Sequence, residues 1–321
     1  MPLVSVIVPV YNGEKVIARC LESIITQELS DIEIIVINNA SVDNTKEIVR
    51  KFQKRDKRIT LCDCPQKGVS AARNYGLYRA TSKFIYFVDS DDYLEPSAVA
   101  LLCMAAQMYD ADVVSSNVMR VGRYNSFPMD SDATECVLEG EEIPRFFYDK
   151  LETYIMYDLF KLYRREMLLA HDIRFDEKYS LGEDLVFNIE VYKHAKRVAY
   201  VPTPVYNYLM TASGLNAKVR GDFVDIKIIM HNAIKEYLVA NNNLDKRYYR
   251  VFFNEIFSCL VNERADTANM LSVLNGEYTQ EMLSAGIYED LSFFKKVTYF
   301  CIERKIVFML KIIAGIYLKF L

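Results

Sequence analysis

No second cysteine pair accompanies Cys62 and Cys64, so the chain lacks a four-ligand zinc pattern. The other five thiols, at 20, 103, 136, 259 and 301, are scattered, and the total of seven is odd. Such a distribution fits reduced thiols in a cytoplasm better than a disulfide framework. Histidine is scarce as well, and His171, His194 and His231 show no metal-ligand spacing. Surplus basic charge is missing: a net charge of −4 gives no general reason to expect nucleic-acid binding. No repeat or low-complexity segment occurs. The N-terminus opens directly into a strand pattern, so no secretory signal is expected.

What is present is core-forming material. Of 321 residues, 51% are hydrophobic and 26% charged, which suits one large globular domain or two smaller ones. "LVSVIVPVYN" (3–12) is a β-branched run ending in a turn, as expected of a strand buried on both faces. Val16, Ile17, Leu21, Ile24 and Ile25 then recur at helical spacing. Further strands are expected at 32–37, 58–63, 83–88 and 112–119, with helices between them, Asp43 being placed to cap the one over 44–55. This alternation predicts an α/β fold with a mostly parallel central sheet flanked by helices. Beyond it, a polar stretch spans roughly 122–142, and "LFKLYRREML" (159–168) reads as a helix. "YSLGEDLVFNIEVYKHA" (179–195) reads as a loop entering a helix, and "RVAYVPTPVYNYL" (197–209) as a strand whose prolines favour an edge. Residues from about 221 onward look helical.

In parallel sheets ligands bind at the carboxyl ends of the strands. Asn12, Asn38 and Asn39, the stretch Lys67 to Asn74, and Asp89 to Asp92 all fall at such ends. In "FVDSDDYLEP" three aspartates follow an apolar run directly. A strand-to-helix turn, with Ser90 or Asp92 near a helix start, would account for them. So would a divalent cation that neutralises the cluster. The convergence of polar loops on one edge favours the cation, with Asp92 left open as a helix cap.

Five segments, "VSVIVPVYN", "GVSAARNYG", "FVDSDDYLEP", "KLYRREML" and "IRFDEKYSLGEDLVFN", occur in an order and spacing that resemble the inverting family 2 glycosyltransferases of bacterial polysaccharide synthesis. The resemblance spans residues 3–210 and implies the nucleotide-sugar-binding fold known as GT-A. It divides the chain into a transferase domain over 1–215 and a helical region over 216–321. The domain has a nucleotide-binding part (1–120) and an acceptor part (121–215). It implies transfer of a hexosyl or N-acetylhexosaminyl group from a nucleotide sugar, a UDP-sugar first, to a glycan or lipid-linked acceptor. Asp89 and Asp91 match the D-x-D that holds Mg²⁺ or Mn²⁺, with Asp89 also near the ribose. Pro9, Tyr11, Asn12 and Asn39 fall where the base is held, and Lys67 and Arg73 near the phosphates. Asp184 matches the catalytic base, and Glu183 its acceptor-binding or orienting neighbour, although Gly-Glu-Asp also suits a plain helix start.

Two departures from the family stand out. Asn38 and Asn39 replace a D-D-G-S-like element, and "LMTASGLN", with Met210 and Ser213, replaces a basic or histidine-bearing stretch over the diphosphate. A nucleotidyltransferase is a rival reading, but "VPVYNGEK" lacks the Gly-rich basic loop it would need. A non-catalytic nucleotide-sugar binder is the other, opposed by the intact Asp89, Asp91 and Asp184. In the tail, 293–321, Lys296, Arg304, Lys311 and Lys319 recur every seven or eight residues. Too many cations interrupt it for a membrane span. A helix drawn to anionic lipid, or one docked on protein, are the two expectations, the first placing the chain on the cytoplasmic face of a membrane.

Overall fold

Val4–Val10 is buried at every position and forms strand β1. It pairs in parallel on both sides, with β2 (Ile32–Asn38) and β4 (Phe84–Phe87), which is why its sequence is apolar without alternation. In this computed structural model β3 (Ile59–Asp63) extends the sheet beyond β2. The remaining strands are β5 (Tyr93–Leu94), β6 (Val113–Val121), β7 (Ser126–Pro128), β8 (Cys136–Glu139), β9 (Lys161–Arg164) and β10 (Arg197–Leu209). They form one sheet in the order β3-β2-β1-β4-β9-β6-β10-β5, with β7 beside β6 and β8 beside β10. Six strands share a direction and β9 runs against its neighbours β4 and β6, so the mostly parallel α/β expectation holds. The structure describes residues 1–122, 124–153, 158–179, 181–210, 223–264 and 266–317.

Helices α1 (Ile17–Ile25), α2 (Thr45–Arg55), α3 (Val69–Arg79) and α4 (Ala98–Met108) connect the first strands, followed by α5 (Glu142–Asp149), α6 (Arg165–Ala170) and α7 (Glu183–His194). α1 buries Ile17, Cys20, Leu21 and Ile24, the i, i+3, i+4, i+7 stripe its sequence carries. Asp43 is not the N-cap of α2, a position held by Asn44, but from one residue earlier it accepts from the Thr45 N–H at 3.1 Å. α3 lies tightly on the sheet: a Cβ on Gly76 would come within 2.3 Å of Ile7, so only glycine permits this approach.

Several expectations fail for tertiary reasons. "LFKLYRREML" is not one helix; β9 is inserted between β4 and β6, and only α6 follows it. Leu162 and Tyr163, buried within the sheet, override the local helical spacing. β10 is no edge strand, because β6 lies on one side and β8 and β5 on the other. Pro202 and Pro204 fall between the segments paired to β8 and β5, at shifts of register against β6. There the missing N–H costs the sheet little. The polar stretch contains β7 and β8. Asp92 is not a helix cap, since α4 begins six residues later and the Asp92 carboxylate is held elsewhere.

By its contacts the chain divides into two units, Met1–Gly214 and Leu215–Leu321. The second is helical: α8 (Phe223–Ala240), α9 (Lys246–Asn262), α10 (Thr267–Asn275), α11 (Glu277–Ser284), α12 (Phe293–Glu303) and α13 (Val307–Tyr317). α9 supplies its core through Val251, Phe252, Ile256 and Leu260. The tail is therefore two helices, broken at Lys305, whose φ of 53° is left-handed. A continuous basic stripe along one helix does not exist, and Lys319 lies outside the described residues.

Candidate active site

The carboxyl ends of β1, β2 and β4 bring the expected residues to one edge. Pro9 is buried within β1, and Tyr11, just past it, is 64% exposed. Asn12 adopts φ 48° and ties the end of β1 to the loop after β2: its N–H donates to Ser41 Oγ at 2.9 Å, and its Oδ1 accepts from the Val42 N–H at 2.9 Å. Asn39 is buried and spans two loops. Its Oδ1 accepts from the Gly68 N–H at 2.9 Å, and its Nδ2 donates to the Gln66 carbonyl at 2.8 Å. This amide thus fixes the turn into α3, where Gly68 takes φ 124°. One lone pair of its oxygen remains for a further donor. Asn38 is engaged with Asp63 Oδ1 at 2.7 Å. Lys67 is exposed.

Arg73 is the hub. It is 3% exposed, brought inward by the tight packing of α3 on the sheet, and lies 5.4 Å from the Phe175 ring centroid. Its Nη2 donates to Asp89 Oδ1 at 2.9 Å, and its Nη1 to Glu183 Oε1 at 2.9 Å and Asp184 Oδ1 at 2.7 Å. Its Nε is buried without a partner. The sequence reading placed Arg73 near phosphates; here its planar fork joins the end of β4 to the first turn of α7. Burial raises the Asp184 pKa well above the usual carboxylate value, the charge of Arg73 opposes the shift, and Glu183, Asp89 and Asp158 reinforce it.

On the aspartate loop each carboxylate has a different setting. Asp91 faces solvent, and its carbonyl accepts from Arg19 Nη2 at 2.6 Å. Asp92 is buried: its Oδ2 accepts from the Tyr206 hydroxyl at 2.9 Å, and its Oδ1 from the Leu209 N–H at 2.9 Å. Burial pushes the Asp92 pKa up to about 8, with Asp89 and Asp91 adding to the shift. The Tyr206 oxygen also accepts from the Asp89 N–H at 3.1 Å, so β10 holds the aspartate loop at two points.

Asp89 and Asp91 present hard oxygen donors, and Asp91 has no side-chain partner drawing it away from solvent. Among the described residues no group of three or more His, Cys, Asp or Glu could hold a metal ion. Two carboxylates suit a cation such as Mg²⁺ or Mn²⁺ that completes its shell with phosphate oxygens and water, so the donor set fits.

Three participants escaped sequence reasoning. Tyr206 gave no local signal, because its partners lie 114 and 117 positions away. Lys161, fully buried on β9, donates to the Asp158 carbonyl. Burial lowers its pKa, opposed by the charges of Asp158 and Asp184, whereas burial raises that of Asp158. Lys161 does stand in a quoted motif, but a helical reading of that segment hid its inward direction. Of the two residues that stand in place of the family's diphosphate clamp, Met210 is described, and Ser213 lies outside the described residues.

A nucleotide-binding type of sheet with a carboxylate-rich edge is therefore in place. The family model of glycosyl transferase family 2 matches residues 5–171, and the chain belongs to that family. It is 34% identical over 210 residues to the uncharacterized glycosyltransferase EpsJ of Bacillus subtilis, covering 65% of this chain and 61% of that protein. To the putative glycosyltransferase EpsH of the same organism it is 31% identical over 250 residues, covering 76% and 72%. The chain thus spans about three fifths to three quarters of these relatives' lengths. The fold resembles Staphylococcus aureus TarS, residues 1–349, solved in complex with UDP-GlcNAc: TM-score 0.69, 20% identity, 99% of this chain and 92% of that one.

Proposed function

We propose that this chain transfers a hexosyl or N-acetylhexosaminyl group, with inversion, from a nucleotide-diphosphate sugar to a glycan or lipid-linked acceptor in cell-surface polysaccharide synthesis. The observation that carries the reading is the Arg73 clamp, which joins the donor-side Asp89 to the acceptor-side Glu183 and Asp184 through one guanidinium. Residues 1–120 would bind the nucleotide and 121–215 the acceptor, with 216–321 as a separate helical region. TarS, a fold relative solved with UDP-GlcNAc, supports a UDP-sugar as first choice. Pro9, Tyr11 and Asn12 would flank the base, with Asn39 offering its remaining lone pair, and the exposed Lys67 would reach the phosphates.

Asp184 acts as the base. An inverting transfer needs the acceptor hydroxyl proton removed as its oxygen attacks the anomeric carbon opposite the leaving group. Burial makes the Asp184 carboxylate the stronger proton acceptor, an upward shift that the charge of Arg73 opposes. Glu183, 7% exposed and fixed by the same guanidinium, orients its neighbour and the acceptor. Asp91, with Asp89, would hold a divalent cation. Such a cation supplies charge neutralisation for the departing nucleoside diphosphate. Tyr206 keeps the loop carrying both aspartates in register.

We place the enzyme on the cytoplasmic face of a membrane, where a lipid-linked acceptor is met. The reading is tested by incubating the protein with a panel of nucleotide sugars, with Mn²⁺ or a chelator, and measuring released nucleotide and the anomeric configuration of the product. Release of UDP with an inverted product supports it. A retained configuration, or no turnover with any donor, overturns it.

A further inference from the structure

Helices α12 and α13 each bury one face and leave another, strongly apolar face in water. On α12 the protein covers Tyr299, Cys301 and Ile302. Phe293, Val297 and Phe300, spaced i, i+4, i+7, are exposed together with Phe294, and Phe293 is 85% accessible. On α13 Leu310, Ile313 and Ala314 are covered. Phe308, Met309, Ile312 and Ile316 stay exposed, Phe308 at 73%. Single exposed apolar residues are ordinary, but two consecutive helices each with such a face mark a contact surface. Each helix has 11 residues, about half the length that crosses a bilayer. No helix of the described residues is long and apolar enough to cross a membrane.

The charge around these faces is mostly positive, although Lys296 pairs with Glu289 at 3.4 Å and Arg304 lies 3.9 Å from Glu303. Lys295, Lys296, Arg304, Lys305 and Lys311 stand against the single acid Glu303 between residues 293 and 317. Lys311 donates to Thr267 Oγ1 at 2.8 Å and Lys305 to Asn275 Oδ1 at 2.5 Å, neutral partners that leave both charges uncompensated. Those bonds also hold the two lysines against the protein, and Lys311 is thereby drawn out of the stripe that its spacing with Lys296, Arg304 and Lys319 suggests in sequence. The open faces are aromatic and aliphatic, with cations around them.

We propose that the exposed apolar faces of α12 and α13 insert into the interfacial layer of an anionic bilayer, with Lys295 and Arg304 meeting lipid phosphates. This rests on, and deepens, the placement of the enzyme at a membrane: attachment comes mainly from apolar insertion and only secondarily from charge. A second copy docking the same surface across a twofold axis would set these cations against each other, which the anionic headgroups avoid.

Co-sedimentation of the full-length protein with phosphatidylglycerol-containing vesicles, and with phosphatidylcholine alone, tests it. Binding to the anionic vesicles should survive high salt with only a several-fold loss, since salt screens charge but not apolar burial. A Phe293→Ser/Phe308→Ser variant, altered at exposed positions only, should bind roughly tenfold more weakly while keeping its unfolding temperature. Lys295→Gln/Arg304→Gln should cost less. The proposal is overturned if the wild-type protein ignores vesicles, if salt alone abolishes binding, or if the phenylalanine variant binds like wild type. A dimer by light scattering that the phenylalanine variant dissolves also overturns it. Sugar transfer to a soluble acceptor should be unchanged in the phenylalanine variant, so failure of the transferase reading shows up separately as an inactive wild type.

Discussion

Arg73 and Asp184 are 111 positions apart in sequence and 2.7 Å apart in the folded protein. The same guanidinium holds Asp89 and the buried Glu183, so it compensates three acids at once. Arg73→Met should leave Glu183 buried without a counter-charge and cost roughly 3–5 kcal/mol, the usual penalty for removing one partner of a buried pair. Arg73→Lys should recover part of the stability and little of the transfer, because one ammonium cannot replace a planar fork. Denaturant unfolding and kcat/KM report the two effects. Unaltered stability in Arg73→Met would show that the clamp does not bear on folding.

Asp184→Asn preserves size and hydrogen bonding but cannot take a proton, so kcat should fall by roughly 10²-fold or more. Donor binding should barely move, because the proposed nucleotide contacts gather at the carboxyl ends of the first four strands, away from Asp184. Glu183→Gln should raise the acceptor KM instead. A plain helix-start role for both residues predicts lost stability with kcat intact, and that pattern would remove Asp184 from the chemistry.

For Asp91→Asn the folded state should persist, since the side chain faces solvent and is one of three crowded carboxyl groups. Transfer at low Mn²⁺ should collapse. Isothermal titration with Mn²⁺ and UDP checks the assignment, and wild-type metal affinity in the variant would refute it.

Tyr206→Phe removes one hydroxyl that serves two residues. It strips a partner from buried Asp92 and from the Asp89 N–H, a loss of about 1–3 kcal/mol. Both stability and transfer should drop, whereas a purely packing role for the ring would leave each near wild type.

His231, in the helical unit, takes up its proton at lower pH than a surface histidine. Burial pushes its pKa down to about 4, with Glu281 opposing and Lys235 assisting. Its Nδ1 shares a hydrogen bond with the Tyr248 hydroxyl, and its ring stacks on Phe252 at 3.8 Å. The unfolded chain binds this proton near pH 6.5 and the native state only near 4, so this stabilisation is complete above 6.5. It should be lost as the pH falls through that window, at up to about 1.4 kcal/mol per pH unit. NMR titration of the ring reads the value directly. A midpoint near 6.5 would mean the site is open to water.

The strands β1 to β4 could be read from sequence because runs such as "VSVIVPV" and "FIYF" have one stable fate, burial on both sides. The aspartate loop and Gly-Glu-Asp were equally visible, since charged residues directly after apolar runs stand out locally. β9 and the interior place of β10 were not, because helical spacing and proline are local preferences, whereas strand order is fixed by distant partners. The charge stripe of the tail failed for a related reason: a periodicity counted through Lys305 assumes a helix that the left-handed turn interrupts.

By itself, then, the sequence determined the alternation of strands and helices, the carboxyl-edge position of Asp89, Asp91 and Asn39, and the acidic start of α7. Each follows from apolar runs that must leave water and polar residues that must not. Only the tertiary structure decided which charges meet. Burial of Arg73 requires carboxylates within hydrogen-bond reach, and Asp89, Glu183 and Asp184 satisfy it from two elements about a hundred residues apart, a pairing that no local pattern records.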